Sequence, residues 1–152
     1  MPTSSSRDAE LDPGFAGHLV GYLLALAQVN TRRAFQRRVG EPFGLRPVEF
    51  TLLALLQANG AVSAKQIGSA LRLPAPHVTT LVDRLAERGL VERGRDPDDG
   101  RAVRIGLTTA GRALAERLRP VALTMEDDLL AALEPAEQTA LRCLLLKLAR
   151  AD

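Results

Sequence analysis

Hydrophobic residues recur at helical spacing along most of this chain, and the spacing changes to every second residue only in residues 90–107. There, Val, Ile and Leu alternate with small or charged residues. Residues 96–101 interrupt the alternation with Asp, Pro and Gly, which turns favour. The pattern predicts one β-hairpin, with strands over residues 90–95 and 102–107, in a chain that is otherwise helical.

The composition favours the same fold class. The chain has 152 residues, enough for one domain with its own hydrophobic core. Hydrophobic residues make up 46% of it, yet aromatic residues make up only 3% and Trp is absent. Such aliphatic sequences favour helices packed by Leu and Ala over a large sheet. The expected fold is therefore mostly α with a small β-hairpin wing.

Several features of the sequence point to the cytoplasm. The longest apolar run, Leu19–Ala27, is too short to cross a bilayer, so no membrane partner is expected. The one cysteine, Cys143, excludes an internal disulfide and a cysteine-based zinc cluster, and it fits a reducing compartment. Residues 1–13 lack the apolar core of a signal peptide and are expected to form a disordered tail.

The N-terminal part of the chain predicts two long helices. Apolar residues from Phe15 to Val39 recur three and four apart and form one stripe of a helix. Four arginines within residues 32–38 are either a solvated helix end or a contact with DNA phosphates. Gly and Pro in residues 40–45 predict a loop, and a nearly all-apolar helix follows over residues 47–59.

Two short helices are predicted next, joined by a tight turn. Ser63 and Gln66 have the spacing of a capping box, in which each side chain binds the backbone N–H of the other residue. A second helix is predicted over residues 76–88, with Gly89 at its end. Two such helices followed by a hairpin indicate a winged helix-turn-helix, an architecture that binds DNA.

The second short helix is amphipathic. Its predicted buried face consists of Val78, Leu81, Val82 and Leu85. The opposite face carries Thr79 and Thr80, whose short polar side chains can approach base edges in the major groove. Arg84, beside this face, has the reach to bind a phosphate or a guanine. Because the net charge is only +2, DNA binding depends on such local placement.

The tip of the hairpin carries Arg101. A guanidinium held by a compact turn suits the narrow minor groove, where negative potential is concentrated. Asp99, two residues earlier, is placed to orient that guanidinium through a bidentate pair. The alternative is a charged hairpin tip that is only solvated.

The C-terminal part predicts two further helices. Thr108 caps a long helix whose inner apolar stripe extends to Ala132. Pro120 lies inside this stripe and predicts a kink or break near Arg119. Pro135 starts a last helix with leucines along one side.

Four motifs follow one another along the chain. Gly44-Leu45-Arg46-Pro47 leads into the second long helix, and Val78–Arg93 reads VTTLVDRLAERGLVER. The hairpin tip Asp96–Arg101 and the run Leu107–Gly111, LTTAG, come next. On these motifs, residues 44–111 resemble the MarR family (multiple antibiotic resistance regulators) of winged helix-turn-helix transcription factors. The flanking helices extend the resemblance over nearly the whole chain beyond the tail.

The resemblance implies an obligate-type homodimer formed through the N- and C-terminal helices. Its first, fifth and sixth helices interlock and present two winged lobes to a pseudo-palindromic operator in double-stranded DNA. On this basis residues 14–44 are the N-terminal dimerisation helix and loop, and residues 45–108 are the DNA-binding lobe. Residues 109–152 are the C-terminal dimerisation helices.

The resemblance also implies which residues touch DNA. Those implied to read the major groove and bind its flanking phosphates are Pro76, His77, Thr79, Thr80 and Arg84. Those implied to face the phosphate backbone, through N–H groups and charge, are Ser63, Lys65 and Gln66. Arg101 is implied to enter the minor groove, with Asp99 as its orienting partner.

A small aromatic or phenolic effector is a further implication, bound between the dimer helices and the DNA-binding lobe. Its candidate residues are His18, Tyr22 and Phe50. His18 and Tyr22 are four residues apart, hence on one face of the predicted first helix, where an imidazole and a phenol suit a carboxylate or phenolate. The alternative is that both pack at an interface with satisfied hydrogen bonds.

The expected function is that of a sequence-specific DNA-binding transcriptional regulator, a ligand-responsive repressor of a nearby operon. The alternative is a winged-helix module that binds protein and not DNA, which would carry acidic or bulky apolar residues on the outward face. An enzyme is not expected, because two histidines and one cysteine, without a phosphate-binding loop, do not assemble a nucleophile with its base. Neither a cofactor nor a metal is expected.

Overall fold

The computed structural model describes residues 11–96, 100 and 102–151, and these form a helical fold with one antiparallel hairpin, as predicted. The elements are α1 (Val20–Phe35), α2 (Glu41–Phe43), α3 (Pro47–Asn59), α4 (Ala64–Leu71), α5 (Ala75–Glu87), β1 (Val91–Arg95), β2 (Val103–Leu107), α6 (Thr109–Thr124), α7 (Asp127–Leu130) and α8 (Pro135–Ala149). The predicted tail lies outside the described residues except for residues 11–13.

The first helical segment corrects the prediction of one helix over Phe15–Val39. A 3-10 helix covers Gly14–His18, and Leu19 is extended (φ −84°, ψ 116°) before α1 begins. Two of the five residues in the 3-10 helix are glycines, which lowers the helical propensity there. After α1, a π turn over Gln36–Gly40 leads directly into α2.

The predicted loop over residues 40–45 is therefore wrong for Glu41–Phe43, which are helical. Pro42 is the second residue of α2 and follows the π turn directly, where the Glu41 N–H donates to the Gln36 carbonyl. The chain turns only at Gly44 and Leu45, before Pro47 starts α3 as predicted.

The hydrophobic core lies between α3, the helix-turn-helix and the hairpin. Its largest fully buried side chains are Leu52, Leu53, Leu56, Ile67, Leu85, Val39, Val78 and Val82. The capping box of α4 is confirmed, because Ser63 N–H donates to Gln66 Oε1 (2.9 Å) and Gln66 N–H donates to Ser63 Oγ (3.2 Å). Gly89 follows α5 with φ +68°, a conformation that favours glycine, and it turns the chain into the hairpin.

The hairpin is bound to the rest of the lobe by a third segment. β1 pairs with β2 in register Val91 to Leu107 and Arg95 to Val103. Val62, just before α4, pairs with the outer side of β2: its N–H donates to the Ile105 carbonyl (2.9 Å), and the Ile105 N–H donates to its carbonyl (2.7 Å). The wing therefore moves with the start of the helix-turn-helix.

One junction joins α5, the hairpin and α6. Thr108 donates its N–H to the Leu90 carbonyl (3.1 Å) and its hydroxyl to the Gly89 carbonyl (2.6 Å). Thr108 also caps α6 as predicted, accepting from Gly111 N–H (3.0 Å). A Cβ on Gly111 would lie 1.9 Å from the Leu90 oxygen, so a larger residue requires the backbone to shift. The junction thus depends on glycine at this position.

The C-terminal helices differ from the prediction in where the break falls. α6 passes through Pro120 without a break at Arg119 and ends at Thr124, so the stripe to Ala132 is divided between α6 and α7. The proline removes a single helical N–H, and the buried residues just before it hold α6 on the core. At the end of the helix, Thr124 donates its hydroxyl to the Pro120 carbonyl (3.2 Å), a bond that competes with continued helix.

Two apolar helix faces are exposed in the single chain. On α1 they include Leu23 (50% exposed) and Leu26 (51%), and on α8 they include Leu144 (61%) and Leu148 (49%). Exposed apolar patches of this kind mark interaction surfaces. No helix among the described residues is sufficiently long and apolar to span a membrane.

We predict that Gly111→Ala lowers the free energy of unfolding by about 1–3 kcal/mol, because the new methyl overlaps the Leu90 carbonyl. Urea denaturation measures this change. Gly94→Ala is the matched control, since a Cβ at Gly94 meets nothing within 4 Å, and its effect is expected to stay within about 0.5 kcal/mol. Equal stability of the two variants would contradict the crowding at the junction.

Candidate nucleic-acid interface

The helix α5 presents the face that the sequence predicted. Val78, Leu81, Val82 and Leu85 are buried, as predicted. The exposed candidates along this helix are Pro76, His77, Thr79, Thr80 and Arg84. Among the described residues, none lies within ion-pair distance of Arg84. Its guanidinium is therefore available to a partner outside the chain.

The hydroxyl groups of the two threonines on α5 bind the backbone of their own helix. Thr79 Oγ1 donates to the Ala75 carbonyl (3.2 Å), and Thr80 Oγ1 donates to the Pro76 carbonyl (3.1 Å). Both side chains remain exposed. Each one therefore offers its γ-methyl group and the remaining lone pair of its oxygen to a partner.

The start of α4 carries the three other candidates. Lys65 is exposed in its first turn. The N–H groups of Ser63 and Gln66 are bound inside the capping box, so they are not the N–H groups that a phosphate would meet. The contribution of these two residues is to hold the helix start in place, and the charge there comes from Lys65.

Two sets of contacts, one within the C-terminal half of α5 and one just after it, hold α5 in its orientation. After its C-terminal end, Arg88 donates to the Gly44 carbonyl (3.0 Å) and the Phe43 carbonyl (3.3 Å), with Glu49 Oε2 3.7 Å away. In its middle, Asp83 pairs with Arg93 of β1 at 2.6 Å. No local spacing in the sequence reveals this pair, because Arg93 lies on a different element from Asp83.

The base of the wing contains a clamp that sequence reasoning missed. Arg104 donates through Nε to Asp96 Oδ2 (2.5 Å) and through a second nitrogen to the Ala61 carbonyl (3.1 Å). Asp96 is 9% exposed, and its N–H donates to the Ala102 carbonyl (2.9 Å). The alternation of apolar and polar residues in β2 gave no sign of the partners of Arg104, because these partners lie on other segments. The predicted pair Asp99 and Arg101 lies outside the described residues.

The effector candidates are not brought together. His18 ends the 3-10 helix and Tyr22 lies in α1, and the extended residue Leu19 between them removes the shared helical face that was predicted. Both are exposed, Tyr22 by 37%. Phe50 instead packs edge-on against Phe35, with ring centroids 5.6 Å apart.

Phe50 also lines a small cavity between α3 and α6. The volume of this cavity is about 140 Å³. Its lining residues are Phe50, Ala54, Gln57, Ala115, Leu118, Arg119, Ala122 and Leu123. Arg119 is the one charged residue in that lining, on a wall that is mostly apolar. Within the part of the chain that the structure describes, no three His, Cys, Asp or Glu side chains are grouped to hold a metal ion.

The sequence matches a known family over the lobe just described. A model of the MarR family matches residues 43–102. YkoM of Bacillus subtilis, an uncharacterized HTH-type transcriptional regulator, is 34% identical over 110 residues, covering 72% of this chain and 71% of YkoM.

Two solved structures share the fold over most of their length. The transcriptional repressor CouR, bound to a 23-mer DNA duplex, is 34% identical with a TM-score of 0.84, covering 93% of this chain and 100% of CouR. BpsR of Bordetella bronchiseptica, whose DNA binding is regulated by 6-hydroxynicotinic acid, is 33% identical with a TM-score of 0.80, covering 88% of this chain and 95% of BpsR. This chain therefore belongs to the MarR family of winged helix-turn-helix, DNA-binding transcriptional regulators, as its motifs predicted.

Proposed function

We propose that this chain is a homodimeric repressor that binds a pseudo-palindromic operator near its own gene and releases it when a small aromatic anion binds. The observation that carries the DNA-binding part is α5 itself. One face of it is buried in the core, and the other exposes short side chains followed by a guanidinium without an ion-pair partner among the described residues. This arrangement is the one expected of a recognition helix.

The proposal assigns each candidate residue a role at the duplex. Pro76, His77, Thr79 and Thr80 face base edges in the major groove, and Arg84 and Lys65 neutralise phosphates. Arg101 enters the minor groove with Asp99 as its orienting partner. Support comes from CouR, a relative with the same fold that was solved with a DNA duplex.

We further propose that the dimer forms through the exposed apolar faces of α1 and α8. Residues 14–44 and 109–152 then pair the subunits, while residues 45–108 bind DNA. Leu144 is 61% exposed and Leu148 is 49% exposed in the single chain, and leaving this apolar surface in water costs about 25 cal/mol for each Å². On this proposal the chain is a regulator and not an enzyme, and it works in the bacterial or archaeal cytoplasm, on the nucleoid when bound.

The effector is assigned to the cavity lined by Phe50. An apolar cavity of about 150 Å³ holds a benzene ring, close to the volume found here. Arg119 at its wall supplies a partner for a carboxylate or phenolate. BpsR, a relative of the same fold, is regulated by 6-hydroxynicotinic acid, which combines an aromatic ring with a carboxylate.

We predict that selection from randomised duplexes enriches a palindromic site. Arg84→Ala should weaken binding to that site and reduce the steepness of log K against log[salt] by about 2, since one phosphate contact is lost in each subunit of the dimer. Arg142→Ala, which removes the same charge from α8, is the control and should leave the slope unchanged.

Arg101→Ala should weaken the free energy of operator binding by about 1–3 kcal/mol, because the minor-groove contact is lost. If no sequence is enriched, the alternative of a protein-binding module replaces the proposal.

We predict that Leu144→Asp halves the mass seen by light scattering and abolishes operator binding, because a buried carboxylate cannot be accommodated between paired apolar helices. The control is Leu11→Asp, at a position that is 90% exposed and precedes the proposed dimerisation segment, residues 14–44. Circular dichroism should show unchanged helix content in both. A Leu144→Asp protein that keeps the dimer mass would refute this interface.

We predict that 6-hydroxynicotinate or benzoate raises the unfolding free energy, by about 2.7 kcal/mol at a hundred times Kd, and weakens operator binding. Arg119→Gln should reduce the stabilisation by removing the cation, whereas Arg142→Gln should not. The ligand-induced shift in melting temperature, measured for each variant, tests this difference. An equal shift in Arg119→Gln and the unmodified protein would place the ligand elsewhere.

A further inference from the structure

We infer that the surface formed by Pro76, Thr79 and Thr80, in the first turn and a half of α5, reads thymine through the γ-methyl groups of the two threonines and not through their hydroxyl groups. This inference rests on the proposed function, because it concerns the base sequence that the recognition helix selects. It follows from which polar atoms of that helix are already bound.

The hydrogen-bond donors at the start of α5 are already bound or absent. The hydroxyl hydrogens of Thr79 and Thr80 are directed to the carbonyls of Ala75 and Pro76. Pro76 has no backbone N–H, and its side chain is an exposed apolar ring. These three exposed residues therefore direct no side-chain donor outward.

The second step is that the three residues form one surface. Pro76, Thr79 and Thr80 stand at positions i, i+3 and i+4, which are neighbours on a helix. Their outward groups are a proline ring and two methyl groups, with the threonine oxygens able only to accept. The surface is small, apolar and poor in donors.

The third step is the chemistry of the major groove. Guanine presents two acceptors there, N7 and O6, and its recognition requires donors such as those of Arg. Thymine presents the 5-methyl group, which suits an apolar contact. The surface of Pro76, Thr79 and Thr80 therefore favours thymine and disfavours guanine, whereas Arg84, one turn further along, remains suited to phosphate or guanine.

The test removes the methyl groups from either side of the contact. Each thymine of the selected operator is replaced in turn by deoxyuridine, which lacks only the 5-methyl group. Binding of the full-length protein is then measured by fluorescence anisotropy at constant salt. One or two thymines in each half-site should show about fourfold weaker binding when replaced, the value of one buried methyl group.

Paired variants distinguish the methyl group from the hydroxyl group. Thr79→Ser and Thr80→Ser keep the hydroxyl and lose the methyl, so the uracil penalty should disappear at the thymine that each residue contacts. Thr79→Val and Thr80→Val keep a methyl and lose the hydroxyl, so the penalty should persist. Because the ratio of affinities for the thymine and uracil duplexes is compared within each variant, general changes in affinity cancel.

The outcomes separate this inference from the function on which it rests. Tight binding of the unmodified protein to the operator, with a flat uracil scan, would overturn the inference and leave the repressor intact. A penalty that Val abolishes and Ser retains would also overturn it, by showing that the hydroxyl groups turn away from the helix to bind bases. If no operator is selected at all, both the proposed function and this inference fail.

Discussion

The hydrogen bonds at the Gly89-Leu90 corner hold together every functional part of this lobe. α5 ends just before this corner, β1 begins just after it, and α6, which leads to the proposed dimer surface, is capped by Thr108, whose N–H and hydroxyl bind the two carbonyls of the corner. Gly111 allows the close approach on which these bonds depend. A displacement of α6 must therefore be transmitted to both the recognition helix and the wing. This coupling gives a ligand bound against α6 a physical route to the DNA-binding face.

The sequence was sufficient wherever the determining interaction is local. The amphipathic spacing of Val78, Leu81, Val82 and Leu85 set the buried face of α5, and hence which residues face outward. Capping at Ser63 and Thr108 likewise involves residues three apart, so the starts of both helices could be predicted. These local rules placed the candidate major-groove residues on the outward side of α5, and the family resemblance assigned them to DNA.

Contacts between distant segments could not be predicted in the same way. The bridge from Val62 to β2 and the pairs Asp83 with Arg93 and Asp96 with Arg104 join different elements. Their partners are selected by the tertiary fold, not by spacing. The predicted start of the first helix was wrong for another reason. The apolar stripe continues through Leu19, but the two glycines in residues 14–18 favour a different backbone conformation. The spacing of hydrophobic residues therefore predicted the apolar face of α1 but not the residue at which α1 begins.

Because leucines of α1 and α8 are exposed in the single chain, the lifetime of a subunit should depend on its concentration. An unpaired subunit exposes the kind of surface that chaperones and proteases recognise, while pairing removes that surface by mass action. Doubling synthesis at low copy number should then more than double the amount of paired protein.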